Sequence, residues 1–346
     1  MKILITGYNG YIGSVMVPFL QNAGHEVVGL DSFLYEGCHF SEEPPAIPSL
    51  RVDVRQVEPE HFLGFDAVIA LAALSNDPLG NLNPQTTYAI NHYGVVRTAK
   101  AAKRAGVKRF LFASSCSLYG AGPQDFLDEG APFNPVTPYG ESKIRCEFDL
   151  ASLADENFSP TFMRCATAYG FSQRLRSDLV VNDLTGLAYL TGQIAMRSDG
   201  MPWRPFVHIE DISRAFLAAL EAPRERVHLE ALNVGQTSEN YRVREVAQMV
   251  AEVVPGSVAT FSDGAEPDIR NYRVNCDKIK AVLPQFKPVW TVRKGIEQLY
   301  HEYRRNPSLT LESFKSSRFM RIKRIKELQA EGKLDEELYW KEAVQS

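Results

Sequence analysis

The sequence has no paired cysteine spacing, no zinc-type histidine motif, no long apolar run and no marked excess of either charge. Each absence removes a class of protein. The five cysteines (Cys38, Cys116, Cys146, Cys165, Cys276) are odd in number, scattered and free of CxxC spacing, which argues against a disulfide framework and a structural zinc site. The seven histidines form no HExxH pair, so no metal centre is expected. No apolar stretch approaches the ~20 residues that span a bilayer, and no membrane partner is expected. A formal net charge of -4 over 346 residues leaves no basic footprint for nucleic acid. What remains is 45% hydrophobic and 23% charged residues, the balance of a globular chain long enough for two compact domains or one large domain with a lobe. Met1-Lys2-Ile3-Leu4-Ile5 runs directly into a glycine turn, so it reads as a strand and not a signal peptide, and a reduced, cytoplasmic enzyme is expected.

Lys2 to Thr6 predicts a short buried strand, followed at once by Gly7-Tyr-Asn-Gly10-Tyr-Ile-Gly13. Gly7 suits the tight turn, Gly10 lets the backbone approach a pyrophosphate, and Gly13 permits close packing of helix on strand. The helix that follows offers unpaired N–H groups to the anion. A second strand, His25 to Leu30, ends at Asp31, where a carboxylate bonds the ribose hydroxyls of NAD and repels the 2′-phosphate of NADP. Leu50 to Arg55 reads as a third strand, in which Asp53 either reaches the adenine or ends the strand in a turn. Phe65 to Leu74 is a fourth strand, continuously apolar as in a sheet covered on both faces. A helix over Thr86–Gly106 and a fifth strand over Val107–Ser114 complete an alternation that predicts a Rossmann-type, doubly wound parallel α/β sheet. Ser114, Ser115, Cys116 and Ser117 lie at a strand end, where such folds bind ligands; serines there also serve as plain turn residues or caps.

Residues four apart on a helix share a face, so Tyr139-Gly-Glu-Ser-Lys143 sets a phenol beside an ammonium. Tyrosine ordinarily keeps its proton to about pH 10. A neighbouring positive charge favours the phenolate and lowers that value, giving a general acid/base for a sugar or alcohol hydroxyl. With 14 tyrosines in the chain, and lysine near one residue in twenty, roughly one such pair arises by chance. Its weight therefore comes from its surroundings.

Together these segments resemble the extended short-chain dehydrogenase/reductase superfamily, in its NAD-dependent nucleotide-sugar epimerase/dehydratase branch. The resemblance runs from Met1 to Asn306 through TGYNGYIG, Asp31, the LAAL strand, FASSCSLYG, TPYGESK, RCATAYG, RPFVHIEDI, LNVG and DIRNYRVNCDKI. It implies a catalytic triad of Ser115, Tyr139 and Lys143, with Tyr139 the acid/base, Ser115 orienting the hydroxyl and Lys143 holding the nicotinamide ribose. For the cofactor it implies Asn9, Tyr11, Ile12, Val54, Leu71, Ala72, Ala73 and Asn91 beside Gly7, Gly10, Gly13, Asp31 and Asp53. For a nucleoside-diphosphate sugar it implies Ser75, Ser115, Ser117, Thr167, Arg174, Arg176, Arg204 and Arg270. It also implies a homodimer, with the helices over Thr86–Gly106 and Tyr139–Ala154 forming an intersubunit bundle. Residues 1–170, with 205–232 returning to them, are the expected cofactor domain. Residues 171–204 and 233–306 are a smaller α/β substrate-binding domain, and 307–346 a helical extension that the family core does not need.

Departures from the family pattern decide the expected reaction. The 4,6-dehydratases carry an Asp-Glu pair where this chain has Cys116 and Ser117, so elimination is disfavoured. Cysteine-dependent 3,5-epimerisation is disfavoured because Ser117 stands at the cysteine's place. Cys116 reads as a packing thiol rather than a nucleophile. Thr167 replaces a common asparagine. Arg174 and Arg176, in a basic loop, either face a diphosphate or lie in solvent; Arg204 suits a diphosphate because its fork binds two oxygens. His208 and Asp211 read as structural, a strand residue and a helix cap. In the extension, Phe319, Ile322, Ile325 and Leu328 recur at helical spacing, predicting a helix packed on the protein's own surface or on a partner subunit. The expected activity is an NDP-hexose 4-epimerase. A 4-ketoreductase consuming NAD(P)H is the alternative, ahead of a 4,6-dehydratase or a non-catalytic NAD-binding member.

Overall fold

The computed structural model describes residues 1–75, 83–196, 198–262 and 270–341, with the backbone alone at 122–124. Residues 76–82, 197, 263–269, which include Asp268 and Ile269 of the DIRNY segment, and 342–346 lie outside the described residues. Seven strands form one sheet and are numbered here in chain order: β1 (Lys2–Thr6), β2 (Glu26–Asp31), β3 (Ser49–Arg51), β4 (Ala67–Ala70), β5 (Arg109–Ser115), β6 (Ser159–Cys165) and β7 (Ala231–Val234). They lie in the order β7-β6-β5-β4-β1-β2-β3, every neighbour parallel. The order reverses between β1 and β4, which opens a crevice at their carboxyl ends. This is a Rossmann-type doubly wound sheet.

Side chains alternate between the faces of a strand, and β1 shows what that does here. Ile3 and Ile5 join one buried cluster with Met16, Leu20, Ile212 and Phe216, from the helices Gly13–Asn22 and Ile209–Glu221. Leu4 joins another with Ala99, Ala102, Cys146 and Leu150, from the helices Val95–Arg104 and Pro138–Ser152. Both faces are covered, so all four residues of β4 and all seven of β6 are buried. A third cluster, including Tyr169, Leu184, Phe206, Val250, Leu299 and Tyr303, fills the region beyond the strand ends. Among the described residues no helix is long and apolar enough to cross a membrane.

The second and fifth strands shift from the sequence expectation by one or two residues, and three further elements differ as follows. The third strand stops at Arg51, because the Arg55 N–H donates to Asp53 Oδ1 (2.8 Å) and the Gln56 N–H to the Asp53 carbonyl (2.8 Å), closing a turn. The fourth is only Ala67–Ala70, although the Asp66 and Leu71 N–H groups on its flanks still donate to the β1 carbonyls of Lys2 (2.9 Å) and Thr6 (3.0 Å). The helix expected over Thr86–Gly106 starts at Pro84, capped by Asn83, which accepts from the Thr86 N–H at 3.1 Å; it then widens into a π turn over Ala89–Gly94. The extension packs on its own chain. Its helix Arg321–Ala330 buries Ile325 and Leu328, and Leu334 and Leu338 follow, all in the cluster that holds Leu30, Leu34 and Val54. Phe319 goes to the third cluster instead.

Candidate active site

At the carboxyl end of β1 the backbone leaves no room for side chains. Gly7 has φ +75°, and a Cβ there would lie 2.7 Å from the Ala72 nitrogen; one at Gly13 would lie 2.4 Å from the Tyr8 carbonyl oxygen. Gly10 donates its N–H to the Gly7 carbonyl (3.1 Å) and closes the turn. The helix Gly13–Asn22 then begins at Ile12 without a side-chain cap and without an acidic residue in its first turn; the Ser14 and Val15 N–H groups bond the Gly10 (3.0 Å) and Ile12 (3.1 Å) carbonyls, so an anion would be met by the N–H groups of the turn that precedes them. A pyrophosphate fits this cradle, which any Cβ would fill.

Asp31 ends β2 beside it. Its Oδ2 accepts the Asn9 N–H (3.1 Å) and its Oδ1 the Phe33 N–H (2.8 Å). Burial raises the Asp31 pKa, and the two N–H donors oppose that shift; ribose hydroxyls donating to the same oxygens would oppose it further. Leu71, Ala72 and Ala73 follow β4, half-buried, and the Leu71 N–H bonds the Thr6 carbonyl at 3.0 Å. Asn91, wholly buried, clamps the next backbone unit: its Nδ2 donates to the Leu74 carbonyl (3.0 Å) and its Oδ1 accepts the Leu74 N–H (2.7 Å). Tyr11 reaches out of the glycine turn to donate to the Gly170 carbonyl (2.6 Å) and accepts from Asn182 (3.1 Å), joining the two halves of the molecule. Val54 is buried against Gly94. The Asp53 carboxylate is held by the Arg55 guanidinium at 2.9 and 2.7 Å and accepts the Arg55 N–H at 2.8 Å, which closes the turn after the third strand.

The helix carrying Tyr139 starts cleanly because Thr137 caps it, accepting from the Gly140 N–H (3.2 Å), and Pro138 opens its first turn. Tyr139 therefore sits at the positive end of the helix dipole, which also favours a phenolate. The Lys143 ammonium lies over the Tyr139 ring, 5.5 Å from its centre, and donates to the Ala113 carbonyl at 2.6 Å. Burial lowers the Lys143 pKa. The same helix packs on the turn Cys116–Tyr119, and Gly140 makes the contact possible: a Cβ there would come within 2.9 Å of the Ser117 carbonyl oxygen. Glycine inside a helix costs about 1 kcal/mol relative to alanine. Its place beside Tyr139 was a signal that the sequence reading did not use.

Ser115 ends β5, 9% exposed, donating to Ser117 Oγ at 3.0 Å and accepting the Ser117 N–H at 3.1 Å. Ser117 bonds Tyr272, a buried phenol whose pKa is pushed up to about 12, chiefly by burial; Tyr272 is a second residue that sequence reasoning missed. Cys116 points the other way. It is 1% exposed, its thiol faces the Arg164 carbonyl at 3.2 Å, and burial holds its pKa well above the ordinary thiol value, so it is a packing thiol. Below the strand end Glu147 is saturated, accepting from Arg164 (2.6 Å) and Ser114 (2.5 Å).

On the substrate side the structure revises two expectations. Arg174 and Arg176 are neither solvated nor open toward a ligand; both are buried against acceptors of the protein itself. Arg174 donates to Asn9 Oδ1 (2.6 Å) and pairs with Glu43. Arg176 forms a two-pronged pair with Asp178 (3.0 and 2.9 Å) and reaches Ser75 Oγ at 2.9 Å. A guanidinium without such partners would be costly to bury; Asn9 and Glu43 lie 165 and 131 residues from Arg174 and Ser75 lies 101 from Arg176, whereas Asp178 is two residues from Arg176. Arg204 and Arg270 do come together: the Arg204 guanidinium donates to the Arg270 carbonyl and lies 5.9 Å from the Tyr272 ring centre. Thr167 is half-buried on the strand paired with Phe206. His208 stacks on Trp290 (3.9 Å) and bonds Gln298 (2.8 Å), while Asp211 accepts the Trp290 N–H at 3.0 Å; both hold the fold. Among the described residues no group of three or more His, Cys, Asp or Glu could hold a metal ion.

The chain is 26% identical over 356 residues to the UDP-glucose 4-epimerase of Bacillus subtilis (strain 168), covering 92% of this chain and 100% of that one. It is 30% identical over 233 residues to the UDP-glucose 4-epimerase of Mycolicibacterium smegmatis, covering 63% of this chain and 73% of the relative. Among solved structures, MoeE5 in complex with UDP-glucuronic acid and NAD superimposes with a TM-score of 0.76 at 27% identity, over 88% of this chain and 99% of that one. The family model matches residues 3–235, the span that holds the glycine turn, Asp31, Ser115, Tyr139 and Lys143, and the chain belongs to the NAD dependent epimerase/dehydratase family.

Proposed function

We propose that the protein is an NAD-dependent nucleoside-diphosphate-hexose 4-epimerase. The observation that carries this reading is Tyr139 at a helix start with the Lys143 ammonium over its ring, beside a strand end that offers the hydroxyls of Ser115 and Ser117. Elimination needs an acid and a base at the two positions after Ser115. There stand a buried thiol, Cys116, and a serine. The relatives that act on UDP-glucose, and the UDP-glucuronic acid in the MoeE5 complex, support a nucleotide-sugar substrate.

In this mechanism the Tyr139 phenolate takes the proton from the sugar 4-hydroxyl, which Ser115 orients. Lys143 holds the nicotinamide ribose and keeps positive charge beside the phenol. Bound NAD supplies the reversible acceptor for the hydrogen and electron pair leaving C4. The 4-keto sugar turns about its bond to the diphosphate, near Arg204 and Arg270. Tyr139 then returns the proton while the C4 hydrogen is restored on the opposite face. Each bond broken is remade, so no cofactor is consumed. Purified protein carrying tightly bound NAD and interconverting two sugar nucleotides with no net cofactor turnover supports the reading. Stoichiometric NAD(P)H oxidation with a 4-keto sugar nucleotide overturns it in favour of a ketoreductase.

The reading extends to a homodimer. Tyr93 on the π turn is 62% exposed and Phe148 on the Pro138–Ser152 helix is 65% exposed, and His92 bonds Asp149 (2.6 Å) between these two segments. Large exposed aromatics on adjacent helices mark an association surface.

A further inference from the structure

The C-terminal extension touches the two loops that follow β2 and β3, and it does so through polar contacts aimed at backbone. The Trp340 indole N–H donates to the carbonyl of Ser32 (2.6 Å), the residue after Asp31. Arg55, already bound to Asp53, donates to the carbonyls of Glu337 (2.7 Å) and Leu338 (3.3 Å), and its guanidinium stacks 3.5 Å from the Tyr339 ring centre. Arg321 donates to the Arg174 carbonyl (2.9 Å) and covers the Tyr35 ring at 4.1 Å. Arg174 in turn holds the Asn9 side chain (2.6 Å), and the Asn9 N–H donates to Asp31 (3.1 Å).

The Trp340 and Arg321 contacts both lead to Asp31, while those of Arg55 fix the neighbouring loop through Asp53. The backbone on each side of Asp31 is held: Ser32 by Trp340, and Asn9, across the crevice, through Arg174 and Arg321. Leu338 adopts φ +65°, a conformation unfavourable for leucine, while its side chain is 5% exposed in the cluster with Leu30 and Leu34. A strained residue persists where its surroundings over-determine it. The loop after Asp31 is long and carries Gly37 at φ +76°, so it has little regular structure of its own to fix the carboxylate.

We propose that the extension from Arg321 to Trp340 is a strap that sets the position of Asp31, and through it both the affinity for NAD and the discrimination against NADP. Trp340 and Arg321 act as positioning residues; neither needs to touch the cofactor. The proposal rests on the NAD reading of the glycine cradle. A carboxylate held in one place binds the two ribose hydroxyls with little ordering cost and meets a 2′-phosphate with full repulsion. A loosened one loses on both counts.

The test uses the full-length protein stripped of nucleotide, with dissociation constants for NAD and NADP measured by calorimetry. Trp340→Phe keeps the ring and removes the N–H donor; Arg321→Met is the second variant. Each is expected to raise the NAD constant about threefold to tenfold, the loss of one hydrogen bond's worth of positioning. The NADP-to-NAD ratio should fall, while UDP binding is unchanged. Thermal midpoints of the nucleotide-free proteins register any general loss of stability, which would not move the ratio. NAD and NADP constants unchanged in both variants overturn the strap. Absence of NAD binding by the wild-type protein overturns the cofactor reading itself.

Discussion

The Lys143 ammonium lies on the face of the Tyr139 ring, 5.5 Å from its centre, and one of its three N–H groups donates to the Ala113 carbonyl at 2.6 Å. Lys143 is 3% exposed, where charge is weakly screened, so in the proposed mechanism its field bears on the phenol. Removing the phenolic oxygen by Tyr139→Phe should lower kcat by about a hundredfold to ten-thousandfold and leave NAD affinity within twofold. Single-turnover kinetics with calorimetry would check both. Near-wild-type turnover would end the assignment of Tyr139 as the acid/base.

Lys143→Met removes the cation while keeping most of the packing. The phenolate then loses a stabilising charge, so the Tyr139 pKa rises. Because the phenolate is the active form, the acidic limb of the kcat profile should move to higher pH. A pH–rate profile that falls uniformly, without that displacement, would mean that Lys143 serves only to hold the cofactor.

Gly13 sets the closeness of the first helix to β1. A methyl group there would stand 2.4 Å from the Tyr8 carbonyl oxygen and 2.6 Å from that of Gly7, so the turn must move. Gly13→Ala should cost about 1–3 kcal/mol of stability, as overpacking does, and weaken NAD binding by more than tenfold because the helix N-terminus no longer faces the pyrophosphate. Denaturant titration and NAD calorimetry on the same preparation would measure the two effects. Full NAD affinity in this variant would show that the cradle is not the cofactor's seat.

The parts of the site that were legible in the sequence are local. β1, the glycine turn, Asp31 and the Tyr139–Lys143 spacing each lie within a few residues, so strand period and helix period reveal them directly. What escaped depends on contacts across the chain. Arg174 reads as a loop arginine because its partner Asn9 is 165 residues away, and only the folded crevice makes it a buried one. Asp53 closes its turn through the N–H of Arg55, two residues on, a contact that strand periodicity does not show. The extension shows helical spacing at Ile325 and Leu328, but nothing in that spacing says that the covered surface is the loop after Asp31.

His208 offers a test by pH. Its burial against Trp290 lowers its pKa from 6.5 to about 4, so the folded protein binds fewer protons than the unfolded chain between those values. Stability from this group is complete above pH 6.5 and is lost as pH falls toward 4, on the order of 3 kcal/mol in total. His208→Gln should be less stable at pH 7 yet lose less stability between pH 6.5 and 4.5 than the wild type. Unfolding free energies from denaturant titration at several pH values would show the difference in slope; equal slopes would mean that His208 is not the group responsible.

The dimer prediction turns on Tyr93 and Phe148, the most exposed aromatics on the two adjacent segments. Light scattering of the wild-type protein should give twice the chain mass. Tyr93→Glu with Phe148→Glu should give a single chain, because each puts a charge into a surface that association would desolvate. Neither side chain lies in the buried core, so the double variant should keep its far-ultraviolet spectrum and its NAD affinity. Glu141, which accepts from Tyr88 at 2.6 Å two residues after Tyr139, ties this surface to the start of the catalytic helix. Monomerisation is therefore expected to lower kcat more than it weakens NAD binding. A wild-type protein that scatters as a monomer at micromolar concentration would remove the association surface from the reading and leave the chemistry of Tyr139 as proposed.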